Sequence, residues 1–146
     1  MKHYDVLTLQ KQSAFHLHAA SKIVQKKYAE ALAPIGITFD QLTMLMILFD
    51  YPKISLTDIA LNLYMEKEEA KAGLSELAAK GYVELAEGYY EDGDLLVVLT
   101  KKGEEFEDVC YNAIKNIPML PGVFPMDCME LTRICYQVLD CEMGRG

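Results

Sequence analysis

Three groups of side chains in this sequence have types that could do chemistry: four cysteines, two neighbouring histidines, and a few lysines and hydroxyls set among acids. Cys110, Cys128, Cys135 and Cys141 all lie in the last third of the chain. Cys128 and Cys135 are seven residues apart, so a helix puts them on one face about 10 Å from each other, too far for an intrahelical disulfide. The Cys-x-x-Cys spacing of a structural zinc site is missing, so the thiols read as buried apolar groups. His16 and His18 are two residues apart and project about 200° from each other on a helix, so they cannot share a metal without a second chain. They read as ordinary interface or partly buried histidines. Neither a metal nor an organic cofactor is expected. Nothing matches a nucleophile elbow, a phosphate-cradling glycine loop or a metalloprotease helix, so no enzyme is expected either.

The ionisable groups of residues 55–98 are more telling. Asp58, Glu66, Glu68, Glu69, Glu76, Glu84, Glu87, Glu91, Asp92 and Asp94 stand against Lys67, Lys71 and Lys80, ten minus three, which places −7 of the whole-chain charge of −8 in this segment. From 82 to 98 there is no lysine or arginine. The apolar pattern of the same segment predicts a helix-turn-helix followed by a two-stranded wing, a device that ordinarily carries a helix and a hairpin to phosphates, and phosphates repel this charge. Glu66, Glu68 and Glu69 have a local reason to be there, because carboxylates in the first turn of a helix oppose its dipole favourably by about 0.3–1 kcal/mol each. The acids of the wing have no comparable reason in the sequence.

The elements that must position these groups follow from period and punctuation. Leu7 to Leu32 is mostly helix former, with apolar residues on more than one side, and Pro34 and Gly36 end it. Thr38 caps a second helix, Phe39–Asp50, with Gln41 at the capping-box position. Ser55 starts a short helix with Asp58 at the same spacing, Tyr64-Met65 turns, and a helix from about Glu66 to Lys80 stops at Gly81. The period then changes: Tyr82, Val83 and Leu85 lead through Gly88 and Glu91-Asp92-Gly93-Asp94 to the strand Leu95–Leu99. Thr100 caps a helix bearing Gly103 in its first turn, Pro118 to Pro125 is a loop, and a last amphipathic helix runs from about Met126 to Glu142 before a frayed Gly144-Arg145-Gly146. That last apolar face exceeds what one small domain needs. The expected architecture is mainly α with a small β-hairpin wing, six helices in one domain. At 146 residues and 51% hydrophobic content one core is well supplied. No stretch reaches the roughly 18 apolar residues of a membrane helix and the N-terminus lacks a signal core, so a cytoplasmic protein without membrane contact is expected.

The strings Gly36-Ile37-Thr38-Phe39-Asp40-Gln41, Leu77-Ala78-Ala79-Lys80-Gly81-Tyr82-Val83 and Val97-Val98-Leu99-Thr100-Lys101-Lys102-Gly103, in this order, resemble the MarR family of bacterial winged-helix regulators over nearly the whole chain. Leu9 to Phe15, with Tyr28 and the Ile37-Thr38-Phe39 step, is most similar to the branch that senses organic peroxides through a cysteine on its first helix. The matching position here is Ala14, which has no thiol, so that redox chemistry does not carry over. Tyr28 matches a tyrosine of the branch, and Phe39 stands at its second tyrosine position.

The resemblance implies a transcriptional regulator that binds duplex DNA as a triangular homodimer. Residues 7–33 and 104–142 would form the dimerisation helices and 38–103 the winged helix-turn-helix core. It places Lys67, Lys71, Ser55, Thr57 and Lys101 nearest DNA, and a pocket for a small-molecule effector near His16, Tyr28 and Phe39. Family members carry an Asp-x-Arg in the wing turn, where this chain has Glu91-Asp92-Gly93. The alternative reading is therefore an acidic relative that has lost DNA binding and works through protein partners or as a small-molecule-binding module.

Overall fold

The computed structural model describes residues 7–9, 12–117 and 125–142. Helix α1 spans Ser13–Leu32 and passes through a short 3-10 turn at Ala33–Ile35 into Gly36, whose φ of 77° is the left-handed conformation that stops the helix. The helical start expected near Leu7 is displaced to Ser13, while Gln10 and Lys11 lie outside the described residues. Helix α2, Phe39–Asp50, forms as its caps predict. Thr38 Oγ1 accepts the Gln41 backbone N–H at 3.1 Å, and Gln41 Oε1 accepts the Thr38 N–H at 3.0 Å. This reciprocal box satisfies two donors that the helix itself leaves unpaired, an arrangement worth on the order of 1 kcal/mol.

After α2 the chain enters a strand that the sequence pattern had as a connection, β1 at Lys53–Ser55. Helices α3 (Leu56–Asn62) and α4 (Lys67–Ala79) follow, then strands β2 (Val83–Ala86) and β3 (Leu96–Leu99), and helices α5 (Lys101–Ile114) and α6 (Pro125–Glu142). The expected two-stranded wing is thus part of a three-stranded antiparallel sheet in the order β1-β3-β2. Ile54 pairs with Val97 and Leu85 with Val97 from the other side. Three residues are too few to show a period, and pairing with a distant β3 is what makes them a strand. The expected loop before α6 falls at 118–124, outside the described residues, as do 143–146.

The core lies where α2, α3, α4 and the sheet converge. Leu45, Leu48, Ile59, Leu74, Leu77 and Val97 are fully buried, with Leu32 of α1 closing one side and Phe106 of α5 another. Gly73 allows α4 to approach α2, since a Cβ there would sit 2.8 Å from Met44 Cε. At the far end of α4, Gly81 at φ 86° turns the chain into β2. Thr100 N–H then donates to the Tyr82 carbonyl at 3.0 Å, and the Tyr82 ring stacks on Phe106 with centroids 4.1 Å apart.

Candidate nucleic-acid interface

Helices α3 and α4 meet through a turn in which Tyr64 adopts φ 54°, a left-handed conformation that costs a non-glycine residue roughly 1 kcal/mol. The Met65 N–H donates to the Ala60 carbonyl at 3.1 Å, and the Tyr64 hydroxyl reaches Asp140 Oδ1 of α6 at 3.3 Å. Helix α4 then presents one buried face, Ala70, Leu74 and Leu77, while Lys67, Glu68, Glu69, Lys71, Ala72 and Ser75 remain exposed. Glu68 and Glu69 occupy its first turn, and Glu66 is the N-cap residue without a side-chain cap bond. On the inner side Gln41, 3% exposed, donates from Nε2 to the Gly73 carbonyl at 3.2 Å and to Glu76 Oε2 at 2.7 Å. The acid Glu76 is therefore tied to α2.

The five residues expected nearest DNA do not share one condition. Ser55 is 7% exposed, and its hydroxyl accepts the Asp58 N–H at 3.0 Å as the cap of α3, without the return bond from Asp58 that would complete a box. Thr57 is half-buried and hydrogen-bonds to Asp94. Lys67 pairs with the same carboxylate, Nζ to Oδ1, at 3.4 Å. Lys71 and Lys101 are exposed. Lys80 and Lys102 are used locally: Lys80 Nζ donates to the Gly36 carbonyl, and Lys102 Nζ donates to the Lys80 carbonyl at 2.6 Å and lies 5.0 Å over the Tyr82 ring.

The wing acids separate into two kinds. Glu84, Glu87, Glu91 and Asp92 are exposed, as expected of solvated charge. Asp94, which the sequence left without a reason, is buried at 7% exposure and is partnered by Leu95, Thr57 and Lys67. Burial pushes its carboxyl up, and hydrogen bonds from Thr57 and the Leu95 N–H, with Lys67 beside it, outweigh that and hold it below the usual aspartate value. Tyr90 sits in the field of these acids; desolvation and then Tyr89, Asp94, Asp58 and Asp92 raise its hydroxyl above the usual tyrosine value. The sequence signal for Asp94 was the Asp-x-Asp turn itself, in which Asp92 Oδ1 accepts the Asp94 N–H at 3.0 Å.

Of the residues expected around an effector, Tyr28 and Phe39 come together with ring centroids 4.7 Å apart. Phe39 lines a cleft of about 470 Å³ with Leu17, Ser21, Val24, Thr38 and Leu131, a size within the range of small-molecule sites. His16 is exposed on α1 and its Nδ1 is 2.8 Å from the Gln12 carbonyl oxygen. His18 is exposed as well, and among the described residues no group of His, Cys, Asp or Glu is arranged to hold a metal ion. Burial, with Glu107 nearby, pushes the Cys110 thiol up to about 11, which agrees with an inert buried cysteine. Cys128 is buried too, whereas Cys135 is half-buried and Cys141 exposed.

No protein-family model matches the chain. Among curated proteins it is 26% identical over 109 residues to the HTH-type transcriptional regulator SarZ of Staphylococcus epidermidis, covering 75% of this chain and 74% of that one. It is 21% identical over 137 residues to the organic hydroperoxide resistance transcriptional regulator of Bacillus subtilis, covering 94% and 93%. Its backbone superposes on reduced AbfR bound to DNA with a TM-score of 0.77 at 20% identity, over 92% of this chain and 95% of that one. A MarR-family transcriptional regulator from Rhodococcus sp. RHA1 gives a TM-score of 0.79 at 14% identity, over 92% and 96%. Joined to the capped α2, the α3-turn-α4 pair, the wing and the Leu99-Thr100-x-x-Gly103 junction, these likenesses give the chain a winged helix-turn-helix fold similar to that of MarR-family regulators.

Proposed function

We infer that this protein is a transcriptional regulator that binds duplex DNA as a homodimer, with α4 entering the major groove and the wing lying alongside. The observation that carries this reading is the exposed outer face of α4, tied from behind by Gln41 to the Gly73 carbonyl and backed by a winged-helix frame shared over 92% of the chain. AbfR, the similar protein, has been solved bound to DNA. Of the residues expected nearest DNA, Lys71 and Lys101 are the exposed cations left for phosphates once Lys67 is paired with Asp94, and base readout falls to the α4 face between Lys71 and Ser75. No single described helix is long and apolar enough to cross a membrane, in keeping with action in the cytoplasm.

The test is fluorescence anisotropy with duplex DNA from upstream of the protein's own gene, titrated against salt. Specific binding is expected, with a slope of log K against log salt that falls by about 0.9 for each of Lys71→Ala and Lys101→Ala. No binding to any genomic fragment at low salt would overturn the reading. In that event the exposed acids Glu84, Glu87, Glu91 and Asp92 favour the second reading, a relative that acts through a basic protein partner. A small aromatic acid is the proposed effector class for the cleft beside Phe39. A ligand that binds the folded state alone raises Tm, and a screen of such acids that moves Tm in no case removes the effector from this reading.

A further inference from the structure

Asp94 belongs to the wing by sequence but points into the protein, its side chain 8% exposed. Its carboxylate accepts the Leu95 N–H at 2.9 Å, a hydrogen bond from Thr57, and the ammonium of Lys67 at 3.4 Å. Those partners come from the wing, from α3 and from the first residue of α4. The turn is preset for this, because Asp92 Oδ1 holds the Asp94 N–H. Elsewhere the wing between 82 and 98 has no cation with which to grip a phosphate backbone.

We propose that Asp94 and Lys67 form a latch that fixes the base of the wing against the start of the recognition helix, so that Lys67 is a positioning residue and does not contact phosphate. The proposal deepens the DNA-binding reading above and rests on it for its second half. Lys67 turned to a phosphate would leave the buried carboxylate without its counter-charge, held by Thr57 and the Leu95 N–H alone, which is the costlier state. A wing that cannot anchor itself on DNA needs its position set from inside the protein, and this contact is placed to set it. The latch also removes Asp94 from the face presented to phosphates. Lys67 is half exposed, so the pair is only partly shielded from salt, and Thr57 and the Leu95 N–H hold the carboxylate in place meanwhile.

The experiment compares the unsubstituted 146-residue chain with Lys67→Met, Asp94→Asn and the double variant. Lys67→Met removes an ammonium at a half-exposed helix start and leaves Thr57 and the Leu95 N–H on Asp94, so the fold is expected to survive it, which circular dichroism checks. Hydrogen exchange of the Leu95–Val98 amides is measured first, without DNA. Each single change is expected to speed exchange there several-fold, and the double to add nothing further, as two halves of one contact require. With the upstream duplex as probe, both single variants should then bind several-fold more weakly while keeping the wild-type salt slope. The proposal is overturned if Lys67→Met leaves wing exchange unchanged, and a salt slope lowered by about one overturns it as well, as the signature of a lost phosphate contact. It is equally overturned if Asp94→Asn leaves exchange unchanged. Should the wild type bind no DNA, the exchange measurement still decides the latch, and the DNA-binding reading fails separately.

Discussion

A single methyl group tests the described glycine with the least room for a side chain. A Cβ on Gly103 would lie 2.1 Å from the Tyr82 carbonyl oxygen and 2.6 Å from Leu99 Cδ1. The first of these is backbone, pinned by the Thr100 N–H at 3.0 Å and by its hydroxyl at 3.0 Å, so it cannot move aside. Gly103→Ala is therefore expected to destabilise by about 3 kcal/mol, read as a lower urea midpoint with an unchanged m-value. The sequence marked Gly103 through its place after Thr100, but not the reason, because Tyr82 reaches it only after the chain has gone out along the wing and back. Asp94 was hidden in the same way. Its carboxyl is held below the usual aspartate value, so its contribution to stability is complete above the unfolded-state pKa and is lost as pH falls through the folded-state pKa. Asp94→Asn should flatten this part of the acid limb: the drop in urea-derived stability from pH 7 to pH 3 is expected to be smaller than in the wild type. An equal drop would show that the carboxylate gains nothing from Thr57, Leu95 and Lys67.

Among the elements, those whose ends are written locally were legible and those made by distant pairing were not. Thr38 and Gln41 define the start of α2 within four residues, and Gly81 stops α4 by its own φ of 86°. Strand β1 exists because Lys53 to Ser55 pair with β3, and a three-residue segment following Pro52 carries no period to announce it. The wing was legible as a hairpin, with its acids as an unexplained excess; their division into buried Asp94 and the exposed Glu84, Glu87, Glu91 and Asp92 depended on the fold. That division says how the wing could be given a grip on DNA. Gly93 stands where the MarR family that the chain resembles carries arginine, yet its φ of 83° strains any side chain, and Asp92 is needed by the Asp94 N–H. Glu91 is exposed on the same turn. Glu91→Arg, a change of two charges with little backbone cost, is thus expected to tighten binding to the upstream duplex roughly tenfold at low salt and to steepen the salt slope by about one. Gly93→Arg should gain less and lower Tm. If Glu91→Arg leaves affinity and slope unchanged, the wing does not approach DNA and α4 alone makes the interface.

At the scale of the whole molecule, the unfinished business is apolar surface at its two ends. Met129 is 73% exposed and Val138 58% on α6, and Leu17 50% and Ile23 57% on α1. Large apolar side chains in such number along two helices are more than scattered surface residues account for. The sequence showed the excess on α6, since amphipathicity is local, but could not show that α6 leaves it uncovered by its own core. Burial of this face against a second copy would make a C2 interface in which each α6 covers the other chain's terminal helices. It would also set the two α4 helices apart at a fixed distance, and half-site spacing on DNA follows from that distance. Sedimentation equilibrium is expected to give twice the chain mass of 16.5 kDa. Met129→Glu combined with Val138→Glu places a carboxylate on each of two exposed apolar sides of α6, nine residues and about 180° apart, so that whichever side meets a second copy carries like charges into a dry interface. The pair should convert the dimer to monomer at micromolar concentration and abolish binding to the upstream duplex, with helical circular dichroism in the winged core retained. A variant that stays dimeric would place the interface on another face. A monomer that still binds the same duplex with unchanged affinity would separate DNA reading from dimerisation and leave α6 to some other contact.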